Sequence, residues 1–154
     1  MGPGPGGGAL PGAVLFACNW NVVRSPMAAA LMRNLHGRQV FVDCCGLRVG
    51  EATDPFAAAA MDEMGLDLSE HRPKRFEDLE DDSFDVVISL TPQAQHRAVE
   101  LARGRAVDIE YWPTMDPTIE TGSREQRLEA YRQVRDGLRR RILDRFGRPA
   151  TFGG

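Results

Sequence analysis

One short stretch near the N-terminus constrains the fold more than any other part of the chain. Residues 13–18 read Ala-Val-Leu-Phe-Ala-Cys, a polar loop follows, and Pro26 opens an alanine-rich run that ends before Gly37. A continuous apolar run of this length is typical of a strand buried on both faces of a parallel sheet. Proline in a first turn, preceded by Ser25 as an N-cap, predicts a helix start. The stretch therefore predicts a strand–loop–helix unit.

The rest of the chain continues this alternation. Further strands are predicted at residues 39–45, 84–90 and 106–110, and further helices at 54–64, 93–103 and 123–146. The order predicts an α/β three-layer sandwich around a four-stranded parallel sheet, with flavodoxin-like strand order 2-1-3-4. Ligands bind beyond the carboxyl ends of the strands in such sheets. Cys18, at the end of the first strand, is therefore placed for a functional site.

Length and composition limit the classes of function. A chain of 154 residues with net charge −3 fits one domain and argues against a nucleic-acid partner. No apolar run approaches the roughly 20 residues of a membrane span, so we expect no membrane partner. We predict a disordered Gly/Pro-rich tail at 1–12, a domain at 13–147 and a flexible tail at 148–154. Three cysteines are too few for a disulfide scaffold, which favours a reduced, cytoplasmic protein.

The loop after the first strand has the residues of an anion site. Successive backbone N–H groups in a strand-to-helix loop can converge on one anion, and the helix N-terminus adds positive potential. Arg24 can grip two phosphate oxygens through its planar fork. The same field favours the thiolate of Cys18, which makes it a candidate nucleophile. The Ser25 hydroxyl is placed either to donate a hydrogen bond to this sulfur or to cap the following helix, and it cannot do both fully. We call residues 19–25 the anion loop and predict that they bind substrate: Asn19, Trp20, Asn21, Val22, Val23, Arg24 and Ser25.

The Cys-x5-Arg-Ser-Pro pattern from Cys18 to Pro26 resembles the signature of the low-molecular-weight protein tyrosine phosphatases. The similarity continues through His71-Arg72-Pro73 and covers about residues 13–146. The resemblance implies a phosphatase domain that hydrolyses phosphomonoesters through a cysteinyl-phosphate. Cys18 would attack phosphorus and Arg24 would stabilise the equatorial oxygens. Asp116, in the late Asp116-Pro117 pair, would be the general acid.

The resemblance also implies which residues hold the loop in shape. Asn21, Ser25 and His71 would brace it through hydrogen bonds. Because Arg24, the loop amides and the helix end supply positive charge, we expect no metal and no cofactor. The substrate would be a phosphorylated protein or a small phosphomonoester, and inorganic phosphate would be the product. Phosphotyrosine, phosphoarginine and small phosphoesters all stay open as substrates. The other Asp-Pro pair, Asp54-Pro55, fits a capped helix start better than a catalytic role.

Several positions depart from the family pattern. Trp20 stands where the family usually has glycine, and Val23 stands where many members have a second cysteine. Cys44 replaces a common serine, either as a weak hydrogen-bonding substitute or as a redox partner of Cys18. Trp20, Tyr111 and Trp112 are candidates for the aromatic wall that tyrosines form in the family.

Two other functions are compatible with the same fold. Arsenate reductases related to the family need further cysteines, which they place around residues 75–95, where this chain has none. Cys44 and Cys45 are the remaining candidates for that chemistry. A non-catalytic phosphoprotein-binding module is the second alternative, although such a module has little need for both Cys18 and Asp116.

Overall fold

A computed structural model describes residues 9–149 and contains the predicted sheet. Its described residues form four parallel strands, which lie side by side in the order second, first, third and fourth along the chain and confirm the predicted order 2-1-3-4. The predicted tails at 1–12 and 148–154 lie mostly outside the described residues, and the domain bounds stay a prediction. The strands are β1 (Ala13–Cys18), β2 (Phe41–Gly46), β3 (Val86–Ser89) and β4 (Asp108–Tyr111).

Within residues 9–149, four α-helices cover the two faces of the sheet. Asp54, Thr91 and Ser123 each cap a helix by accepting a backbone N–H bond on the side chain. Asp54-Pro55 is thus a helix start, as predicted. The helices are α1 (Arg24–His36), α2 (Pro55–Asp62), α3 (Pro92–Leu101) and α4 (Arg124–Phe146), with short 3-10 turns at Phe76–Asp78 and Pro117–Ile119.

The central strand β1 is buried on both faces. Its alternate side chains enter two apolar clusters, with Val14, Phe16 and Cys18 in one and Leu15 and Ala17 in the other. The first cluster includes residues of α1, α2 and α4, and the second includes residues of α3. This two-sided burial explains why β1 reads as a continuous apolar run.

Some predicted boundaries were wrong. Helix α1 begins at Arg24, after Val23, so Ser25 is not its N-cap. The Ser25 hydroxyl forms other bonds, described below. Strand β2 begins at Phe41 rather than at residue 39, because the N–H groups of Gln39 and Val40 both donate to His36 O and close α1. Among the described residues, no helix has the length and apolarity needed to cross a membrane.

Candidate active site

The anion loop connects β1 to α1 and presents unpaired backbone donors. None of the backbone N–H groups of residues 19–23 has an acceptor within residues 9–149. Several of the carbonyls are instead bonded: Asn19 O, Trp20 O and Val22 O accept from Arg48, Gly50 and Asp54 at 2.9–3.1 Å. An anion-binding loop needs free backbone N–H donors. Among the described residues, this loop has them, while several of its carbonyls are bonded to other segments.

Asn21 supplies the backbone conformation that this loop needs. Its φ is 58°, the one positive φ at a non-glycine residue in the described part of the chain. Asparagine tolerates the left-handed region better than most residues. Trp20 therefore stands in place of the family's glycine without requiring a left-handed backbone.

The Cys18 sulfur contacts the Ser25 hydroxyl. The Sγ–Oγ distance is 2.9 Å, and Asn21 Nδ2 donates to the same hydroxyl at 2.8 Å. Ser25 Oγ also lies 3.3 Å from Cys45 O. Because a hydroxyl has one proton, Ser25 donates either to the carbonyl or to the sulfur. Donation to the sulfur would stabilise a negative charge there, because a hydrogen bond to a charged acceptor is stronger than one to a neutral acceptor.

His71 and Lys74 form a second set of contacts, with the backbone carbonyl and the side chain of Asn21. His71 Nε2 lies 2.8 Å from Asn21 O and must donate, because a carbonyl oxygen only accepts. The backbone N–H of Lys74 donates to Asn21 Oδ1 at 2.9 Å. Burial lowers the pKa of His71, although the bond to Asn21 O opposes this. A neutral imidazole with its proton on Nε2 satisfies both observations.

Gly46, at the end of β2, allows the segment after that strand to lie close to the anion loop. A Cβ on this residue would lie 2.7 Å from Arg48 O and 2.9 Å from Asn21 N, inside contact distance. Sequence reasoning missed this role. The available signal was a glycine at the carboxyl end of a predicted strand, next to the strand that ends at Cys18.

Arg24 links the anion loop to the segment that contains Asp116. The guanidinium is half-buried, and Nη1 donates to Thr114 O at 2.8 Å. Asp116 Oδ1 accepts from the backbone N–H and the hydroxyl of Thr118, at 2.9 and 2.7 Å. The structure thus brings the segment of Asp116 to the loop, through Arg24 and Thr114. No group of three or more metal-ligating side chains occurs within residues 9–149.

Two contacts at the edge of the loop were not expected from the sequence. Thr91 Oγ1 donates to Asn19 Oδ1 at 2.7 Å, so the turn after β3 also supports the loop. Trp20 is 49% exposed, with the Arg48 guanidinium 5.9 Å from its ring centre. The candidate role of Trp112 in an aromatic wall is wrong, because its ring is buried against Phe16 and Phe146.

The other two cysteines are buried thiols in β2. Burial raises the pKa of Cys44 to about 12, although a hydrogen bond from the Asn21 side chain opposes the rise. Burial raises the pKa of Cys45 well above its ordinary value, and the Cys44 and Cys18 sulfurs add to the effect. Cys44 lies in the same apolar cluster as Cys18, whereas Cys45 lies in the cluster on the opposite face. All three cysteines are free.

A strand–loop–helix unit with a cysteine at its start and an arginine at its end is a candidate site for a phosphate-type oxyanion. The pattern of the low molecular weight phosphotyrosine protein phosphatases matches residues 13–144, and the chain belongs to that family.

Its relatives carry two kinds of name. Glutaredoxin arsenate reductase of Synechocystis sp. is 32% identical over 129 residues, which are 84% of this chain and 92% of the relative. A Ralstonia solanacearum protein named probable low molecular weight protein-tyrosine-phosphatase EpsP is 41% identical over 63 residues, 40% of this chain and 43% of that protein. The solved structure of an arsenate reductase in the phosphate binding state is 32% identical, with a TM-score of 0.70, over 84% of this chain and 92% of its own.

Proposed function

We propose that this protein is a phosphomonoester hydrolase, of the protein-tyrosine phosphatase type, that works through a cysteinyl-phosphate. The observation that carries the proposal is the set of unpaired loop N–H groups beside Cys18 and Arg24. A phosphorylated protein or a small phosphomonoester would place its phosphoryl group in this loop, next to the sulfur. The free cysteines fit a reducing, cytoplasmic setting, which is part of the proposal.

The first step transfers the phosphoryl group to sulfur. The Cys18 thiolate attacks phosphorus, the S–P bond forms, and the bond to the leaving oxygen breaks. The loop N–H groups and the Arg24 guanidinium stabilise the three equatorial oxygens. To bind in this way, Arg24 turns part of its fork from Thr114 O to the phosphate. Asp116, protonated before the reaction, gives its proton to the leaving oxygen.

The second step releases inorganic phosphate. Asp116, now a carboxylate, accepts a proton from water, whose oxygen attacks phosphorus as the S–P bond breaks. The Ser25 hydroxyl stabilises the departing thiolate through the 2.9 Å contact with Cys18 Sγ. The proton that Asp116 gave in the first step is thereby recovered, and the enzyme returns to its starting state.

The names of the relatives favour arsenate reduction as a second candidate. That reaction would form an arsenylated Cys18, and a second thiol would then attack the sulfur and release arsenite with a disulfide. Cys44 and Cys45 are buried, with raised pKa values. The turn after β3, which reaches the anion loop, presents the hydroxyl of Thr91 there. These observations favour hydrolysis over reduction.

The test is hydrolysis of p-nitrophenyl phosphate in the presence of EDTA. We expect turnover by the wild type, none by Cys18→Ser, and a reduction of roughly 10²–10⁴-fold for Asp116→Asn, the range for loss of general acid–base catalysis. Asp136→Asn, on the exposed face of α4, is the control and should match the wild type.

Arsenate reduction is measured beside hydrolysis, with thioredoxin and with glutaredoxin plus glutathione as electron donors. Arsenite formation that survives a Cys44→Ser, Cys45→Ser double substitution would require an external thiol to resolve Cys18. Arsenite formation without phosphate ester hydrolysis would replace the phosphatase proposal. Phosphate binding by a wild type that catalyses neither reaction would favour the binding-module alternative.

A further inference from the structure

An open groove borders the segment that Arg24 contacts at Thr114. It has a volume of about 320 Å³ and runs between residues 112–115 and one face of α4. Pro113 and Met115 are exposed on one wall, and Gln133, Arg140 and Arg141 are exposed on the other. Since both walls open to solvent, the groove suits an extended chain segment better than an enclosed small molecule. Its full lining is Trp112, Pro113, Thr114, Met115, Gln133, Val134, Gly137, Leu138, Arg140 and Arg141.

Gly137 leaves a notch in the middle of this groove. A Cβ built on this residue would meet no atom within 4 Å. Glycine is unfavourable inside a helix, and Gly137 lies well within the 23 residues of α4. Neither close packing nor a positive φ requires it there. Beside apolar Pro113 and Met115, the missing side chain leaves room for an apolar group from outside.

Positive charge lies on one side of the notch, toward the C-terminus of α4, whereas Glu120, Glu125 and Glu129 line the pocket that adjoins the groove at Met115 and Gln133. Arg140 has neither an ion pair nor a hydrogen bond within residues 9–149. The Arg141 guanidinium lies 5.0 Å from the centre of the Trp112 ring, at the edge of the groove. Residues 139–146 contain four arginines and one aspartate, with Arg145 paired to Glu110, although the whole chain has a net charge of −3. This part of α4 is therefore locally basic in an acidic protein, which favours an acidic partner.

We propose that this groove docks an acidic segment of a partner protein. One bulky apolar side chain of that segment would fill the notch at Gly137, and carboxylates beside it would bind Arg140 and Arg141. Charge complementarity selects an acidic segment, and the apolar notch favours a peptide over a nucleic acid or a lipid surface. The inference concerns binding alone and does not depend on the proposed phosphatase activity.

The test uses the full chain with Cys18→Ser, labelled with ¹⁵N and saturated with inorganic phosphate so that the anion loop is occupied. The probe is the peptide acetyl-Glu-Asp-Leu-Phe-Asp-Glu-amide. We expect saturable amide shifts within residues 112–115 and 133–141. The same peptide with Gly-Gly in place of Leu-Phe should bind at least tenfold more weakly, and one with Lys in place of every acidic residue should not bind.

Two variants test the apolar notch and the positive charge separately, and a third variant is the control. Gly137→Leu fills the notch with a helix-forming residue, and the Arg140→Glu, Arg141→Glu pair reverses the charge. Each should weaken binding at least tenfold, whereas Arg103→Glu, in the turn after α3, should leave it unchanged. Circular dichroism confirms that each variant is folded.

Three outcomes would overturn the proposal. The first is the absence of shifts at millimolar peptide. The second is binding that Gly137→Leu leaves intact, which would make the arginines a nonspecific basic surface. The third is binding of single-stranded RNA or of phosphatidylserine vesicles that outcompetes the peptide at equal charge, which would assign the surface to that other partner.

Discussion

At the scale of single residues, the site depends on one hydroxyl and one amide. Ser25 contacts Cys18, and Asn21 binds Ser25 while its own backbone takes the left-handed conformation. His71 and Lys74 hold Asn21 in turn. Because these bonds form one connected set, a change at a member that never touches substrate should still alter the position of Cys18.

The three cysteines should differ sharply in reactivity. Cys44 and Cys45 are buried, and their raised pKa values leave them as thiols at neutral pH. We expect folded Cys18→Ser protein to take no iodoacetamide adduct at pH 7.5 and two adducts after unfolding in guanidinium, read by intact mass. Rapid alkylation of Cys44 in the folded variant would contradict this. It would also support Cys44 as the second thiol in arsenate reduction.

His71 should make stability depend on pH. Its pKa in the folded protein lies below the ordinary 6.5, so the unfolded chain takes up a proton first as the pH falls. The free energy of unfolding should therefore decrease as the pH falls below about 6.5, and the contribution of His71 should be constant above about pH 7. Urea unfolding between pH 8 and pH 5 measures how the free energy of unfolding changes with pH.

His71→Gln is the matched variant for this measurement, because glutamine can still donate to Asn21 O but does not titrate. Its stability should vary less with pH over the same interval, while His96→Gln, on the exposed face of α3, should reproduce the wild-type slope. Equal slopes for His71→Gln and the wild type would assign the pH dependence to other groups.

At the scale of elements, the sequence predicted the strands and helices that hydrophobic patterning and capping residues indicate. The apolar run of β1 and the Asp54-Pro55 start both follow from local rules, and the structure has both. For Ser25 the sequence predicts two competing bonds, one to the Cys18 sulfur and one to the helix end. The structure has the first and not the second, because Cys18, Asn21 and Cys45 use the hydroxyl. Contacts between distant segments, such as Thr91 with Asn19, have no local signature.

Two glycines test how elements pack around the site. Gly137→Ala adds a methyl group in open space and improves helix propensity, so the free energy of unfolding should rise by about 0.5–1 kcal/mol. Gly46→Ala forces a methyl group against Arg48 O and the backbone of Asn21. This substitution should lower the free energy of unfolding by about 1–3 kcal/mol.

Activity separates these two glycine variants further. Gly46→Ala should also reduce phosphate ester hydrolysis, because the clash displaces the anion loop, whereas Gly137→Ala should leave turnover of a small substrate unchanged. Chemical denaturation and p-nitrophenyl phosphate kinetics on both variants check the pair. Full activity in a stably folded Gly46→Ala would mean that the loop tolerates displacement.

At the scale of the whole molecule, segments from distant parts of the chain converge on the anion loop. The segment after β2, residues 71–74, Thr91 and Thr114 each bond to residues 18–24. In sequence these contacts lie up to 90 positions from the loop. A ligand that binds the loop therefore depends on several segments being folded. Its binding should raise the free energy of unfolding of the entire domain.

Inorganic phosphate should accordingly stabilise the folded protein. At a concentration 100 times its Kd, a ligand that binds only the native state adds about 2.7 kcal/mol. For a chain of this length that corresponds to a rise in Tm of roughly 5–10 °C. Thermal unfolding is followed at constant ionic strength, with chloride replaced stepwise by phosphate. Arg24→Ala removes the guanidinium fork and should lose most of this shift, while Arg103→Ala should keep it. Equal shifts in both variants would show that phosphate acts on the protein surface in general rather than in the anion loop.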